Sequence, residues 1–385
     1  MSTTTSVGRP TFIERNLESA LAARRARRDR LAPRRAGFTV EEVRSRLEAF
    51  LHTRLSNPFS LSAVAQMSGG GANECFSFEL DQGGGPERLA LRIKSHGACC
   101  ETEVEREFSA LGAVRGVLPV PEPRWLALDT DAFGSPAMIT GFVGGVTAPT
   151  GDAPLATGLG TVYGPRLAAQ LGPQFVEHLA RLHAQDFAAT PIPGLDMPAA
   201  GTTEAIDWRL SFWDRVWDED AYEPHPAVTL AQQWLWRHRP VVDRVSLLHG
   251  DYRNGNFLFD EATGRIEAII DWELCYLGDR HSDLAYAMLP AWGSPGVSGD
   301  FLCSGLVEQE RFIADYERLS GLPVDRARLT YYRVYALYWS VISLIATAPR
   351  NAELRMTQLD VMYDFIYPGL GARFCAELTT LVQEA

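Results

Sequence analysis

From residue 39 onward the apolar positions fall into readable periods. Thr39 and Glu42 have the spacing of a capping box, and Val40, Val43, Leu47 and Leu51 follow at helical intervals. From about Leu61 to Val143 the pattern is β-rich. Cys75–Leu80, Leu89–Lys94 and Ala137–Val143 read as strands, with a helix predicted over Thr102–Val114. Val146–Pro173 is dense in Gly, Pro, Thr and Ala and reads as a long surface linker. Helices are predicted beyond it, at Phe175–Gln185 and Val228–His238, and one strand-turn-strand island, Leu247–Asp271, interrupts them. Val334–Ala348 is the longest apolar stretch. Tyr, Trp and Ser break it, and it falls short of the roughly 20 residues a membrane-spanning helix needs, so it reads as a buried core helix.

This order, a β-rich unit, a linker and a helical unit with an embedded hairpin, predicts an α+β, two-lobed architecture. The boundaries fall at an N-terminal extension over 1–38, a smaller lobe over 39–142 and a helical lobe over 143–385. Residues 1–36 carry nine arginines against three acids and few apolar positions, which predicts a partly helical, mobile extension. The chain as a whole has a net charge of −12, which argues against a nucleic-acid partner. Its six cysteines show neither C-x-x-C spacing nor a Cys/His ligand pattern, so reduced thiols in a cytoplasmic protein are expected and a zinc site is not. No secretory leader pattern is visible. Lys94 is the only lysine.

A glycine cluster, Gly69-Gly70-Gly71-Ala72-Asn73, precedes the Cys75–Leu80 strand. Glycines let a backbone approach phosphates closely and aim N–H groups at them. The G-x-x-x-x-G-K-[ST] signature is absent, and a strand follows where a dinucleotide fold would have a helix. In the Leu89–Lys94 strand, Ala90, Arg92 and Lys94 share one face. A cation there suits α/β-phosphates and needs an acidic partner, for which Glu107 is the candidate. On this half alone, a phosphate-binding strand and a solvated edge strand beside a surface helix fit equally well.

The second half decides between them. Residues 249–256 read H-G-D-x-x-x-x-N, followed by Ile269-Ile270-Asp271-Trp272-Glu273. Phosphoryl transfer needs one carboxylate to accept the hydroxyl proton, and oxygen ligands for Mg²⁺. Asp251 is the candidate base, and Asn256 and Asp271 are the candidate metal ligands. The apolar runs Phe257–Phe259 and Ile266–Ile270 form a hairpin whose open end brings those two together. His249 reads as a packed histidine bracing the loop. The expected co-substrate is ATP or GTP.

The strings HGDYRNGN and IIDWELCYLGDRHSDLAY, with SGGGAN, LALR, VEREF, LPVPEP and LARLHAQD, resemble the aminoglycoside phosphotransferase (choline kinase-like) superfamily over about residues 40–370. Within it the chain is similar to kinase-like domains of acyl-CoA dehydrogenase fusion proteins and their free-standing bacterial relatives. The resemblance implies a protein-kinase-like fold. It implies Asp251 as base with Arg253 beside it, Asn256 and Asp271 as Mg²⁺ ligands, and Gly69, Gly70, Gly71 and Asn73 at the nucleotide. It matches Arg92 to the phosphate cation and Glu107 to its helix partner, with Lys94 left as the alternative cation. Asp283 matches a buried aspartate that supports the catalytic loop. A hinge within Ala137–Gly144, including Gly141 and Phe142, would take the base by backbone hydrogen bonds. Ala72 departs from the usual serine.

The acceptor is expected to be a small-molecule hydroxyl. A hydroxyacyl-CoA or related hydroxy acid derivative leads, with aminoglycosides, sugars and amino alcohols as alternatives. A silent nucleotide-binding pseudokinase is the competing class. A nucleic-acid or membrane role rests only on the arginine-rich start. Asp207–Tyr222 is dense in Trp and acids and reads as packing aromatics beside a solvated acidic face. Trp292 is a further pocket candidate.

Overall fold

After an N-terminal helix α1 (Arg15–Asp29), Thr39 caps helix α2 (Val40–Arg54) as its spacing predicts. The Thr39 hydroxyl accepts the Glu42 N–H at 3.2 Å, and the Glu42 carboxylate accepts the Thr39 N–H at 2.8 Å. Then comes an antiparallel five-stranded sheet built from β1 (Ser60–Gln66), β2 (Glu74–Asp81), β3 (Pro86–Ile93), β4 (Pro123–Ala127) and β5 (Ala137–Gly141), in the order β1-β2-β3-β5-β4. Alternation gives the sheet two faces. Phe76, Phe78, Leu80, Leu89, Leu91 and Ile93 are all buried in one core with Val43, Leu47, Phe50 and Leu51 of α2. Arg92 belongs to the other face, where helix α3 (Val104–Val114) supplies Glu107. This computed structural model describes residues 13–29, 37–67, 73–94, 97–100, 102–151, 158–187, 190–296, 299–354 and 366–384.

Beyond β5 the chain crosses to the helical lobe, where Val146 and Phe259 exchange backbone hydrogen bonds at 3.0 Å. Helix α4 (Gly164–Ala184) begins well inside the segment read as a linker. Pro165 and Pro173 misled that reading. Pro165 sits in the first turn, where the missing N–H costs nothing, and Pro173 lies inside the helix. Leu167, Leu171 and Gly172 are buried. A Cβ on Gly172 would press on Val307 and Leu306, so this glycine marks a close helix contact rather than a turn. Residues 152–157 of the linker lie outside the described residues.

Helices α5 (Glu204–Asp220) and α6 (Pro226–Arg237) lead to β6 (Ser246–Leu248) and to the hairpin β7 (Phe257–Asp260)–β8 (Arg265–Ile269). Strand β9 (Tyr276–Gly278) pairs with β6, and helix α7 (His281–Ala287) follows. A small sheet of β10 (Ser294–Pro295), β11 (Phe301–Cys303) and β12 (Val307–Glu308) precedes α8 (Gln309–Ser320). The predicted core helix is α9 (Arg326–Ile342), continued by a widened turn over Ser343–Thr347 into α10 (Ala348–Glu353); α11 (Tyr367–Glu384) closes the lobe. From Val334 to Ile342 every residue of α9 is buried.

Residues 13–29 are not the mobile extension expected from their arginines. Ile13, Leu17 and Leu21 lie in the same core cluster as the helical lobe. Arg24 and Arg28 both pair with buried Asp220, at 2.6 Å for Arg24, and Asp220 also accepts the Thr347 hydroxyl at 2.6 Å. The aromatic side of α5 is core, as read, with Trp208, Phe212 and Trp213 buried. Its acids are not all solvated. Asp214 is buried and accepts from Tyr338 at 2.6 Å and Trp236 at 2.8 Å.

Candidate active site

The loop between β6 and β7 is held from beneath. Asp283, fully buried on α7, accepts the backbone N–H of His249 at 2.7 Å and of Gly250 at 2.8 Å, and a ring nitrogen of His183 lies 3.3 Å away. Burial keeps His183 below the usual histidine pKa despite that carboxylate. His249 is buried too. Its Nε2 lies 2.9 Å from the Ile270 carbonyl and its Nδ1 accepts the Asp251 N–H at 3.3 Å, a pattern that fits the tautomer protonated on Nε2. The ring therefore ties the loop to the segment that carries Asp271. Gly250 has φ +81°, and a Cβ there would collide with the Leu274 carbonyl, so only glycine fits.

Asp251 is 9% exposed. One carboxylate oxygen accepts from Arg253 Nε at 2.9 Å and the other from Asn256 Nδ2 at 2.6 Å. Arg253 is steadied in turn by the Trp292 ring, 4.2 Å beneath its guanidinium. Asn256 Nδ2 also reaches the Asp251 carbonyl at 2.8 Å, which leaves its amide oxygen to face other partners. The hairpin brings Asp271 to this end as predicted: the Ile270 N–H donates to the Asn256 carbonyl at 3.0 Å. Asp271 itself is left-handed, φ 65° and ψ 55°. A non-glycine residue in that region is strained, and such strain concentrates at functional turns.

Across the turn, Arg92 pairs with Glu107 and Glu273 and lies 3.3 Å from Asp271. Lys94 bonds elsewhere, to the Thr102 carbonyl and, at 3.3 Å, to Glu103. Although both cations belong to one strand face, they serve different surroundings. Three carboxyl groups crowd one guanidinium. Burial pushes Glu107 up to about 8, with Arg92 opposing and Asp271 and Glu273 adding to the rise. Burial, reinforced by Asp271, pushes Glu273 up to about 7. Hard oxygen donors from Asn256 and Asp271 fit a small divalent cation such as Mg²⁺.

Asn73 meets this cluster through Glu273, its Nδ2 donating at 3.0 Å. Gly69, Gly70 and Gly71 lie outside the described residues. At the hinge the expectation needs correcting. The Gly141 N–H donates to the Glu122 carbonyl at 2.8 Å and the Phe142 N–H to the Arg88 carbonyl at 3.1 Å, so neither N–H is open to a base. Arg88 also covers the Phe142 ring, 3.6 Å from its centroid.

Two residues of the site went unread in the sequence. Glu273 is the second anion on Arg92, and its signal was its place two residues after Asp271 on the same short turn. Tyr286, on α7, is buried, and burial, with the nearby Asp251 charge adding to it, raises its pKa well above the usual tyrosine value. No local pattern marks it, because α7 reaches the loop only through tertiary packing.

A family model described as the phosphotransferase enzyme family matches residues 64–332. The chain belongs to this family. Among curated proteins, the phosphotransferase is 25% identical over 341 residues to acyl-CoA dehydrogenase family member 10 of Mus musculus, covering 83% of this chain and 30% of that protein. It is 28% identical to acyl-CoA dehydrogenase family member 11 of Gallus gallus, covering 71% of this chain and 35% of that one. The phosphotransferase thus spans about a third of the length of these relatives. Among solved structures, a Ralstonia eutropha protein provisionally assigned as an aminoglycoside phosphotransferase superposes with a TM-score of 0.64 at 21% identity, covering 89% of this chain and 98% of that one. Plasmodium vivax ethanolamine kinase superposes at 0.50 with 13% identity, covering 90% and 96%. These likenesses show the two-lobed kinase-like fold. The chain thus combines membership of the phosphotransferase enzyme family with a kinase-like fold. Among the described residues no helix is long and apolar enough to cross a membrane.

Proposed function

We propose that the phosphotransferase moves the γ-phosphate of ATP or GTP to the hydroxyl of a small molecule, with Asp251 as general base. One observation carries this reading: Asp251 is oriented by Arg253 and Asn256 at 2.9 and 2.6 Å, at the same hairpin end as Asp271. A carboxylate so fixed orients the acceptor hydroxyl and takes its proton as the P–O bond forms. Asn256 and Asp271 would hold Mg²⁺, which supplies charge neutralisation for the phosphates. Arg92, placed by Glu107, faces the α/β-phosphates, and Gly69, Gly70, Gly71 and Asn73 cover them. The adenine or guanine then finds its partners among hinge carbonyls and at residues 143–144. The smaller lobe over 39–142 serves the nucleotide and the helical lobe over 143–385 the acceptor.

The names of the curated relatives favour a hydroxyacyl-CoA or related hydroxy acid derivative as acceptor over a sugar, an aminoglycoside or an amino alcohol. Six unpaired cysteines suit a reducing, cytoplasmic setting. The test is a screen of hydroxylated metabolites with γ-labelled ATP and GTP, with and without chelation of divalent cations. Label transfer that stops on chelation is the expected result. Tight nucleotide binding with no transfer to any acceptor would favour a silent nucleotide-binding module instead.

A further inference from the structure

Helix α3 carries Glu107, the partner of Arg92, yet its apolar side does not belong to the core beneath the five-stranded sheet. Val104, Ala110, Leu111 and Val114 lie in the buried cluster that holds the helical lobe together with Ile13, Leu17 and Leu21 of the N-terminal segment. The first turn of α3 is held from outside as well. Its N-cap, Glu103, makes no side-chain cap hydrogen bond and pairs instead with Lys94 at 3.3 Å. Arg106 and Glu107 follow one another in that turn, 2% and 4% exposed. Successive helix positions point about 100° apart, so the two side chains reach different neighbours. Glu107 reaches Arg92 on β3. Arg106 donates from Nη1 to the Cys275 carbonyl at 3.2 Å and pairs through Nη2 with Glu14 at 2.7 Å. Cys275 ends the short turn that begins at Asp271.

Glu14 is itself buried, and among the described residues it is the carboxylate within ion-pair reach of Arg106. It stands just ahead of α1 and is fixed there. Its carboxylate accepts the Asp196 N–H at 3.1 Å, and the Asp196 carboxylate accepts the Arg15 N–H at 3.0 Å. Further along α1, Arg24 holds buried Asp220 of the helical lobe. A buried guanidinium is costly to leave without its anion. Arg106, and with it the first turn of α3, is therefore tied to the place where Glu14 sits.

We propose that Glu14 is a positioning residue for nucleotide binding: by anchoring Arg106 it fixes α3 so that Glu107 presents Arg92 to the phosphates. The N-terminal segment then acts as a brace between the helical lobe and the strand that carries the phosphate cation. Glu14 touches neither the nucleotide nor the reacting atoms. This inference rests on the nucleotide reading above.

Calorimetry on the full-length protein measures its affinity for ATP and GTP with Mg²⁺. Glu14→Gln keeps the size of the side chain and removes its charge, and should weaken binding about 5- to 20-fold, with Glu14→Asp recovering part of the loss. Placed in Arg92→Ala, the same Glu14→Gln change should add less than about 2-fold, because the contact through which it acts is gone. The melting temperature identifies the folded variants. A folded Glu14→Gln with unchanged affinity overturns the proposal. So does an undiminished loss in the Arg92→Ala background, which marks an effect independent of Arg92. A second measurement needs no variant: by linkage, bound nucleotide should slow amide exchange at residues 14–18 of the unmodified protein. Unchanged exchange there overturns the brace even if Glu14→Gln fails to fold. Failure of the unmodified protein to bind either nucleotide overturns the nucleotide reading and the brace with it, whereas binding that ignores Glu14 overturns the brace alone.

Discussion

Asp251 and Arg92 flank the same turn at Asp271, and their surroundings differ in charge balance. Around Asp251 the donors match the acceptors. Arg253 and Asn256 each take one carboxylate oxygen, and the loop beneath is fixed by Asp283 and His249. Around Arg92 one cation faces Glu107, Glu273 and Asp271. On the proposed reading the base is organised in advance, whereas the nucleotide side crowds three carboxyl groups on one cation and would rearrange when a metal ion and phosphates arrive. If that contrast is right, changes at the loop should damage turnover or folding, and changes on the strand should damage nucleotide binding.

The largest effect expected is from Asp251→Asn. Asparagine keeps the shape but cannot take the proton, so turnover should fall about 10²–10⁴-fold while nucleotide affinity measured by calorimetry stays near its normal value. Near-normal turnover would remove Asp251 as base. Next comes Asp283→Ala, which strands two buried N–H groups, of His249 and Gly250. A loss of about 2–4 kcal/mol in denaturant unfolding, with turnover falling as well, is expected. An unchanged midpoint would show that the loop holds itself. On the strand, Arg92→Ala should weaken nucleotide binding about 10- to 100-fold, and Lys94→Ala much less, because Lys94 is engaged with Thr102 and Glu103. The reverse order would make Lys94 the phosphate cation.

The same contrast explains what could be read from the sequence. Asp251, Asn256 and Asp271 were legible because a tight loop and a hairpin fix them by local spacing, and the capping box at Thr39 and the alternation of β2 and β3 were legible for the same reason. What escaped depends on contacts distant in sequence. Gly172 and Pro173 look like breakers until Leu306 and Val307 pack on that glycine. The arginines of α1 look solvated until Asp220 receives two of them. Asp214 joins an aromatic network through Trp236 and Tyr338 that no spacing rule reveals. Tyr286 belongs with these, a buried residue of α7 that comes near Asp251 only through packing.

The smallest effect is expected at His178 of α4, and it sets the scale for acid sensitivity that does not come from Asp251 or Arg92. His178 is buried, its Nδ1 finds no hydrogen-bond partner among the described residues, and burial, with Arg181 adding to it, lowers its pKa to about 4. The unfolded chain has an ordinary histidine, near 6.5. Below that value the unfolded state takes up a proton that the folded state refuses. The stability tied to His178 is thus complete above about pH 6.5 and is lost as pH falls toward 4. Between pH 7 and 5.5 the loss should be about 1 kcal/mol. His178→Leu fills the site without a titrating group, so its unfolding free energy should change less over that interval by about the same amount. Equal pH slopes in the two proteins would mean that the acid sensitivity arises elsewhere. Because His178 touches neither Asp251 nor Arg92, turnover and nucleotide affinity at neutral pH should not move, which separates this response from every effect predicted at the loop and the strand.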